Sequence, residues 1–110
     1  MARDLSESHP RSAAALATLG SIMAREGRLG DAQQAFFKAA ALEPENALYA
    51  YNLAVALDRL HKPEQAASYY ERAVFLADKA GAPNSIPRDS AVQRSAQLRG
   101  RGREERPAAQ

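Results

Sequence analysis

The sequence predicts an all-α chain made of two stacked helical hairpins, on three observations. The first is self-similarity: AAALATLGSIMAREGRLGDAQQAFFKAAALEPEN, starting at Ala13, is answered by ALYAYNLAVALDRLHKPEQAASYYERAVFLADKA, starting at Ala47. Leu19 returns as Leu53, Gly20 as Ala54, Met23 as Leu57, Ala32 as Ala66, Phe36 as Tyr70 and Ala39 as Ala73. Small residues answer small ones and large apolar residues answer large ones, as stacked units need to keep one packing geometry. The second is spacing, because apolar residues inside each copy fall at three- and four-residue steps, the period of one helix face. The third is punctuation, with Gly27, Pro44, Pro63 and Gly81-Ala82-Pro83 standing where helices end or begin.

In the first copy, Leu16, Leu19, Ile22 and Met23 form the stripe of a first helix. Glu26-Gly27-Arg28 closes it, with glycine suited to the left-handed turn after a helix. Gly30-Asp31 opens a second helix whose stripe is Ala32, Ala35, Phe36, Ala39, Ala40 and Leu42. Glu43-Pro44-Glu45-Asn46 stops it, since proline cannot continue a helix interior.

The second copy repeats the pattern. Tyr49, Leu53, Ala56, Leu57 and Leu60 make its first stripe, and His61-Lys62-Pro63 the turn, with Pro63 fit for a first helical turn. Ala66, Tyr69, Tyr70, Ala73, Val74 and Leu76 make its second stripe, and Ala80-Gly81-Ala82-Pro83 breaks the chain. Beyond the break, Ser85 to Ser90 carries helix-start chemistry, and Ala91, Val92, Ser95, Ala96 and Leu98 give a weak stripe ending at Gly100. Residues 100–110 hold glycine, proline and charge without a large apolar side chain, and are expected to be a disordered basic tail.

The pattern resembles the tetratricopeptide repeat, a helix-turn-helix unit of about 34 residues. That family's Leu-Gly pair stands here as Leu19-Gly20 and, relaxed, as Leu53-Ala54. Its small residue in the second helix stands as Ala32 and Ala66, its aromatic as Phe36 and Tyr70, the next small residue as Ala39 and Ala73, and its terminal proline as Pro44. Leu16 and Ala50 replace a frequent tryptophan, and Asp78 replaces the second terminal proline. The resemblance covers residues 13–80. It implies an α-solenoid of two tetratricopeptide repeats, 13–46 and 47–80, with 81–99 as a break and C-terminal capping helix. Pro10 and Leu5 lie one repeat period before Pro44 and Ala39, so 1–12 reads as the remnant of a preceding repeat or a flexible lead.

At 110 residues the chain is at most one small domain. It has no cysteine, which removes disulfides, thiolate nucleophiles and cysteine-based metal sites and fits a reducing, cytoplasmic setting. No apolar run approaches the roughly 20 residues that cross a bilayer, and the first residues lack the apolar core of a secretory signal. A periplasmic protein would need a signal upstream of this sequence. Net charge is +2, but the six arginines at 88, 94, 99, 101, 103 and 106 make the end of the chain basic over a near-neutral body.

Nothing in the residues points to catalysis. His9 and His61 both neighbour proline-containing turns and have no evident nucleophile or carboxylate partner. No metal-binding histidine pair and no phosphate-binding glycine loop are present. The chain is expected to be a non-enzyme without a cofactor or metal.

The resemblance implies instead a protein or peptide ligand held in a concave groove lined by the first helix of each pair. Off the apolar stripe, those helices carry Ser21 and Arg25, then Leu48, Tyr51, Asn52, Val55 and Arg59. Asparagine can bond a peptide backbone as donor and acceptor, and tyrosine offers a large face with a polar tip. Arg25 and Arg59 suit a carboxylate, unless Asp58 neutralises one of them. A subgroup of the family clamps chaperone C-termini with a Lys/Asn/Asn/Lys/Arg set; only Asn52 matches it, with Ala17 and Ser21 at the first two positions, which argues against such a clamp. Two other readings stay open: self-association through the Phe37 and Tyr69 side, and weak nucleic-acid or acidic-surface binding by the arginine-rich end. The alanine- and arginine-rich composition points to a bacterial source, where similar arrays belong to pilus, secretion or envelope assembly machines.

Overall fold

A computed structural model of the chain describes residues 12–105, with side chains through residue 100. The lead before Ser12 and the tail after Glu105 lie outside the described residues. Among the described residues there are five α-helices, one 3-10 turn and no strand. They are α1 (Ala13–Arg25), α2 (Leu29–Leu42), α3 (Ala47–Arg59), α4 (Pro63–Lys79), the turn Pro83–Ser85 and α5 (Arg88–Glu105). The fold class is all-α.

The step that separates the two sequence copies is present in the backbone as well. α1 and α3 begin at Ala13 and Ala47, and α2 and α4 begin at Leu29 and Pro63. Their caps match. Ser12 Oγ accepts from the amide of Ala15 at 3.1 Å, and Asn46 Oδ1 accepts from that of Tyr49 at 3.2 Å. Each satisfies one of the amide donors that a helix start leaves without an internal partner.

The helix ends match too. Arg28 N donates to Met23 O at 2.8 Å and Lys62 N to Leu57 O at 3.0 Å, the long closing bond of a Schellman turn. That turn needs a left-handed residue, supplied by Gly27 (φ 82°) in the first hairpin and by His61 (φ 61°) in the second. Ala82 N bonds Ala77 O at 2.9 Å over Gly81 (φ 68°), so α4 ends in the same way.

α1 packs on α2 and α3 on α4 as antiparallel hairpins, α2 joins the two, and α5 lies against α4. The core running through them contains Ala32, Phe36, Leu53, Ala54, Leu57, Ala66 and Tyr70, closed at the far end by Ala91 and Leu98 of α5. Small residues set how closely helices approach. A Cβ placed on Gly20 would lie 2.7 Å from Phe36 Cε1, so the ring sits directly on the α1 backbone.

Two expectations need correction. One residue of the α1 stripe is not covered: Ile22 is 44% exposed, whereas Leu16, Leu19 and Met23 are half-buried and Ala13, Ala17 and Gly20 beside them are buried. The corresponding residues of α3, Ala50, Leu53, Ala56 and Leu57, are all buried, because α2 covers them. No described element covers the outer side of α1. The second correction is the end of α5, which continues through Gly100 to Glu105. The two glycines it crosses, at 100 and 102, cost only about 1 kcal/mol each, and the arginines and glutamates around them are good helix formers.

α5 covers little apolar surface. Ala91, Ser95 and Leu98 are buried, but Val92 and Ala96 of the expected stripe are exposed. Forked guanidinium pairs supply the rest: Arg88 to Asp78 (2.8 Å twice), Arg94 to Asp58 (2.7 and 2.8 Å) and Arg99 to Glu71 (3.1 and 2.8 Å). Such planar two-bond pairs fix geometry as well as charge.

A candidate binding groove between α1 and α3

On α3, residues 51, 52, 55 and 59 share one helical face, opposite the buried face of Leu53, Ala54 and Leu57. Ser21 and Arg25 lie one turn apart on α1. The fold sets these two faces beside one another. They enclose an open groove of about 400 Å³ lined by Ser21, Ala24, Arg25, Phe36, Tyr51, Asn52, Val55, Ala56 and Arg59. Six of the seven residues singled out from the sequence therefore meet in one place. Leu48 does not: it stands near the start of α3, 45% exposed and outside the groove lining.

The sequence does not announce the floor. Ala24 and Ala56 are small enough to let the hollow form, and the buried ring of Phe36 closes it from below. Tyr51 is held from behind by Tyr70, their rings meeting edge-on with centroids 5.8 Å apart at 62°. Edge-to-face rings set the positive rim of one against the negative face of the other, which favours one orientation.

The Tyr70 hydroxyl donates to Asp58 Oδ2 at 2.9 Å, and Asp58 is gripped from the other side by Arg94 of α5. Burial, reinforced by the bond to Asp58, pushes the Tyr70 hydroxyl well above the usual tyrosine range. The bond to Asp58 likewise raises the Arg94 guanidinium. A chain of contacts thus runs from the groove wall to the last helix. The sequence offers Asp58 as a partner for Arg25 or Arg59; the fold gives it Arg94 and Tyr70 instead. The signal available was only that Asp58 is acidic on a face bordering the core.

Seven arginines have described side chains, and five of them are bound within the fold. Arg28 pairs with Asp31, Arg72 donates to the Pro44 carbonyl, and Arg88, Arg94 and Arg99 hold α5. The remaining two are Arg25 and Arg59, both exposed and both in the groove, and neither has a partner among the described residues.

A second hollow of about 430 Å³ lies on the α2 and α4 side, where Phe37, Ala40, Ala41 and Pro44 face Ser68, Tyr69 and Arg72. Phe37 there is 55% exposed, and Phe75, a turn further along α4, is 62% exposed. Among the described residues, no cluster of histidine and carboxylate side chains has the arrangement of a metal site, and no helix is long and apolar enough to cross a membrane. His61 occupies a solvent-exposed turn, as its sequence context suggested. The chain matches no protein-family model, and no curated protein is significantly similar to it.

Proposed function

We propose that the chain is a non-catalytic interaction scaffold, two tetratricopeptide-type hairpins closed by a capping helix, holding a partner peptide or helix between α1 and α3. The observation that carries this reading is the groove: an apolar floor, an asparagine and a braced tyrosine on its walls, and two arginines without partners among the described residues. Apolar burial would supply affinity, and Asn52 would bond the backbone of the bound segment. Association with an envelope, pilus or secretion assembly machine belongs to this proposal as its biological setting.

The experiment is selection of binders from a random peptide library on the immobilised protein, followed by titration of the selected peptides. Replacing Tyr51 and Asn52 together by alanine should weaken those peptides at least about tenfold, roughly 1.4 kcal/mol, while the circular-dichroism melt stays cooperative. Peptides that bind the double variant as well as the parent would reject this groove as the site.

A second reading has its own observation, the largely apolar hollow beside the exposed Phe37, surface of the kind that proteins use to associate. In that reading copies of the chain pair through the α2 and α4 side. Sedimentation that stays monomeric with rising concentration would reject it. Of the arginines behind the nucleic-acid reading, Arg88, Arg94 and Arg99 are bound to carboxylates of the fold, and those at 101, 103 and 106 lie outside the described side chains.

A further inference from the structure

We infer that the partner held between α1 and α3 is an acidic peptide, with carboxylates that pair with Arg25 and Arg59. This rests on the groove being the binding site and specifies the chemistry of its occupant.

Arg25 and Arg59 stand one repeat period apart, so they hold the same position on two equivalent helices, one from each hairpin. Both lie in the last turn of their helix, where a cation also interacts favourably with the helix C-terminus. That accounts for a positive charge at each place. It does not account for both of them lining one hollow while every other arginine with a described side chain is bound.

The neighbouring negative charge is directed elsewhere. Asp58, next to Arg59 in the chain, is held by two bonds from Arg94 and one from Tyr70. Glu26, next to Arg25, lies 3.6 Å from Arg28. The groove therefore carries two cations at one end and no anion among its lining residues.

A peptide lying in the groove can present carboxylates to the two guanidiniums while its apolar side chains rest on Ala24, Val55 and Ala56. A nucleic-acid strand fits less well. It would need a longer run of cations and an open aromatic face for stacking, whereas Tyr51 is half-buried against Tyr70.

The test selects peptides from one random library on the parent, on Arg25→Gln/Arg59→Gln and on Arg25→Glu/Arg59→Glu. Both arginines are exposed, and equal melting curves of the three proteins establish that the fold is kept. The inference expects Asp and Glu to be enriched in peptides from the parent, lost from those on the glutamine variant and replaced by Lys and Arg on the glutamate variant. A parent-selected peptide should bind the glutamine variant at least about tenfold more weakly, and replacing its own acidic residues by Asn or Gln should have the same effect.

Peptides that depend on Tyr51 and Asn52 but show no acidic enrichment overturn this inference and leave the groove reading intact. Peptides indifferent to Tyr51 and Asn52, or no selection above background, overturn both. An oligothymidylate that binds the parent more tightly than any selected peptide, and needs Arg25 and Arg59, would show a nucleic-acid site instead.

Discussion

Tyr51 and Tyr70 meet ring edge to ring face, centroids 5.8 Å apart, one lining the groove and the other buried in the core. Through that contact the groove wall is braced by the packing between hairpins. Because the Tyr70 hydroxyl reaches Asp58, and Arg94 reaches the same carboxylate, the brace extends to α5. A helix with few buried apolar residues thereby helps to set the shape of a groove it does not line.

Tyr70→Phe keeps the ring contact and removes the bond to Asp58. Arg94 still holds that carboxylate, so the expected loss is about 1–2 kcal/mol, or very roughly 4–16 °C in Tm. Because burial and the Asp58 bond raise the Tyr70 pKa above its unfolded value, its contribution is complete below the ordinary tyrosine range and is lost as pH rises past it. Ultraviolet titration of the parent against Tyr70→Phe checks this. The difference between the two curves should appear only at strongly alkaline pH, as the parent unfolds, and a difference at about pH 10 would contradict it.

Acid should loosen α5 before the hairpins. The bond from Arg99 holds the Glu71 carboxyl below its ordinary value, and the bond from Arg88 does the same for Asp78. Depressed carboxylates stabilise above their unfolded pKa, and the effect is lost as pH falls through the lower folded value. Amide exchange, corrected for intrinsic rates, should show α5 protection falling below about pH 4 while α3 stays protected. Simultaneous loss in α3 and α5 would show that these pairs do not hold the cap.

Gly20→Ala should destabilise although alanine is the better helix former by about 1 kcal/mol. The added Cβ would come within 3.0 Å of three atoms of the Phe36 ring, which is buried and cannot swing away. Overpacking of this kind costs about 1–3 kcal/mol. Gly30→Ala is the control: its Cβ would meet nothing within 4 Å, on a helix, and urea unfolding should show a gain of about 0.5–1 kcal/mol.

His61→Gly should stabilise, because His61 holds the left-handed turn that glycine holds in the first hairpin. That conformation costs a residue with a Cβ about 1–2 kcal/mol, partly offset by the greater freedom of glycine in the unfolded chain. A rise in the urea midpoint of a few tenths molar, without a change of slope, is the expected outcome.

These last two positions show what was legible in the sequence. The repeat period placed the helices to within a residue or two, and the small residues at 20, 32, 54 and 66 marked where helices approach. The left-handed state of His61 was hidden, because only its alignment with Gly27 signals it. The exposure of Ile22 was hidden too, since periodicity tells which side of a helix is apolar but not whether another element covers it. For the groove, helical register brought Tyr51, Asn52, Val55 and Arg59 to one face, with Ser21 and Arg25 opposite. The Asp58–Arg94 pair joins two helices 36 residues apart in the sequence, and no local pattern encodes such a contact.

The central claim is that α1 and α3 together form the binding site. Its most direct test is amide and side-chain chemical-shift mapping on the labelled protein during titration with a peptide selected from the random library. The account predicts the largest shifts at Ser21, Arg25, Tyr51, Asn52, Val55 and Arg59. Shifts confined to Phe37, Tyr69 and Arg72, or to α5, would contradict it.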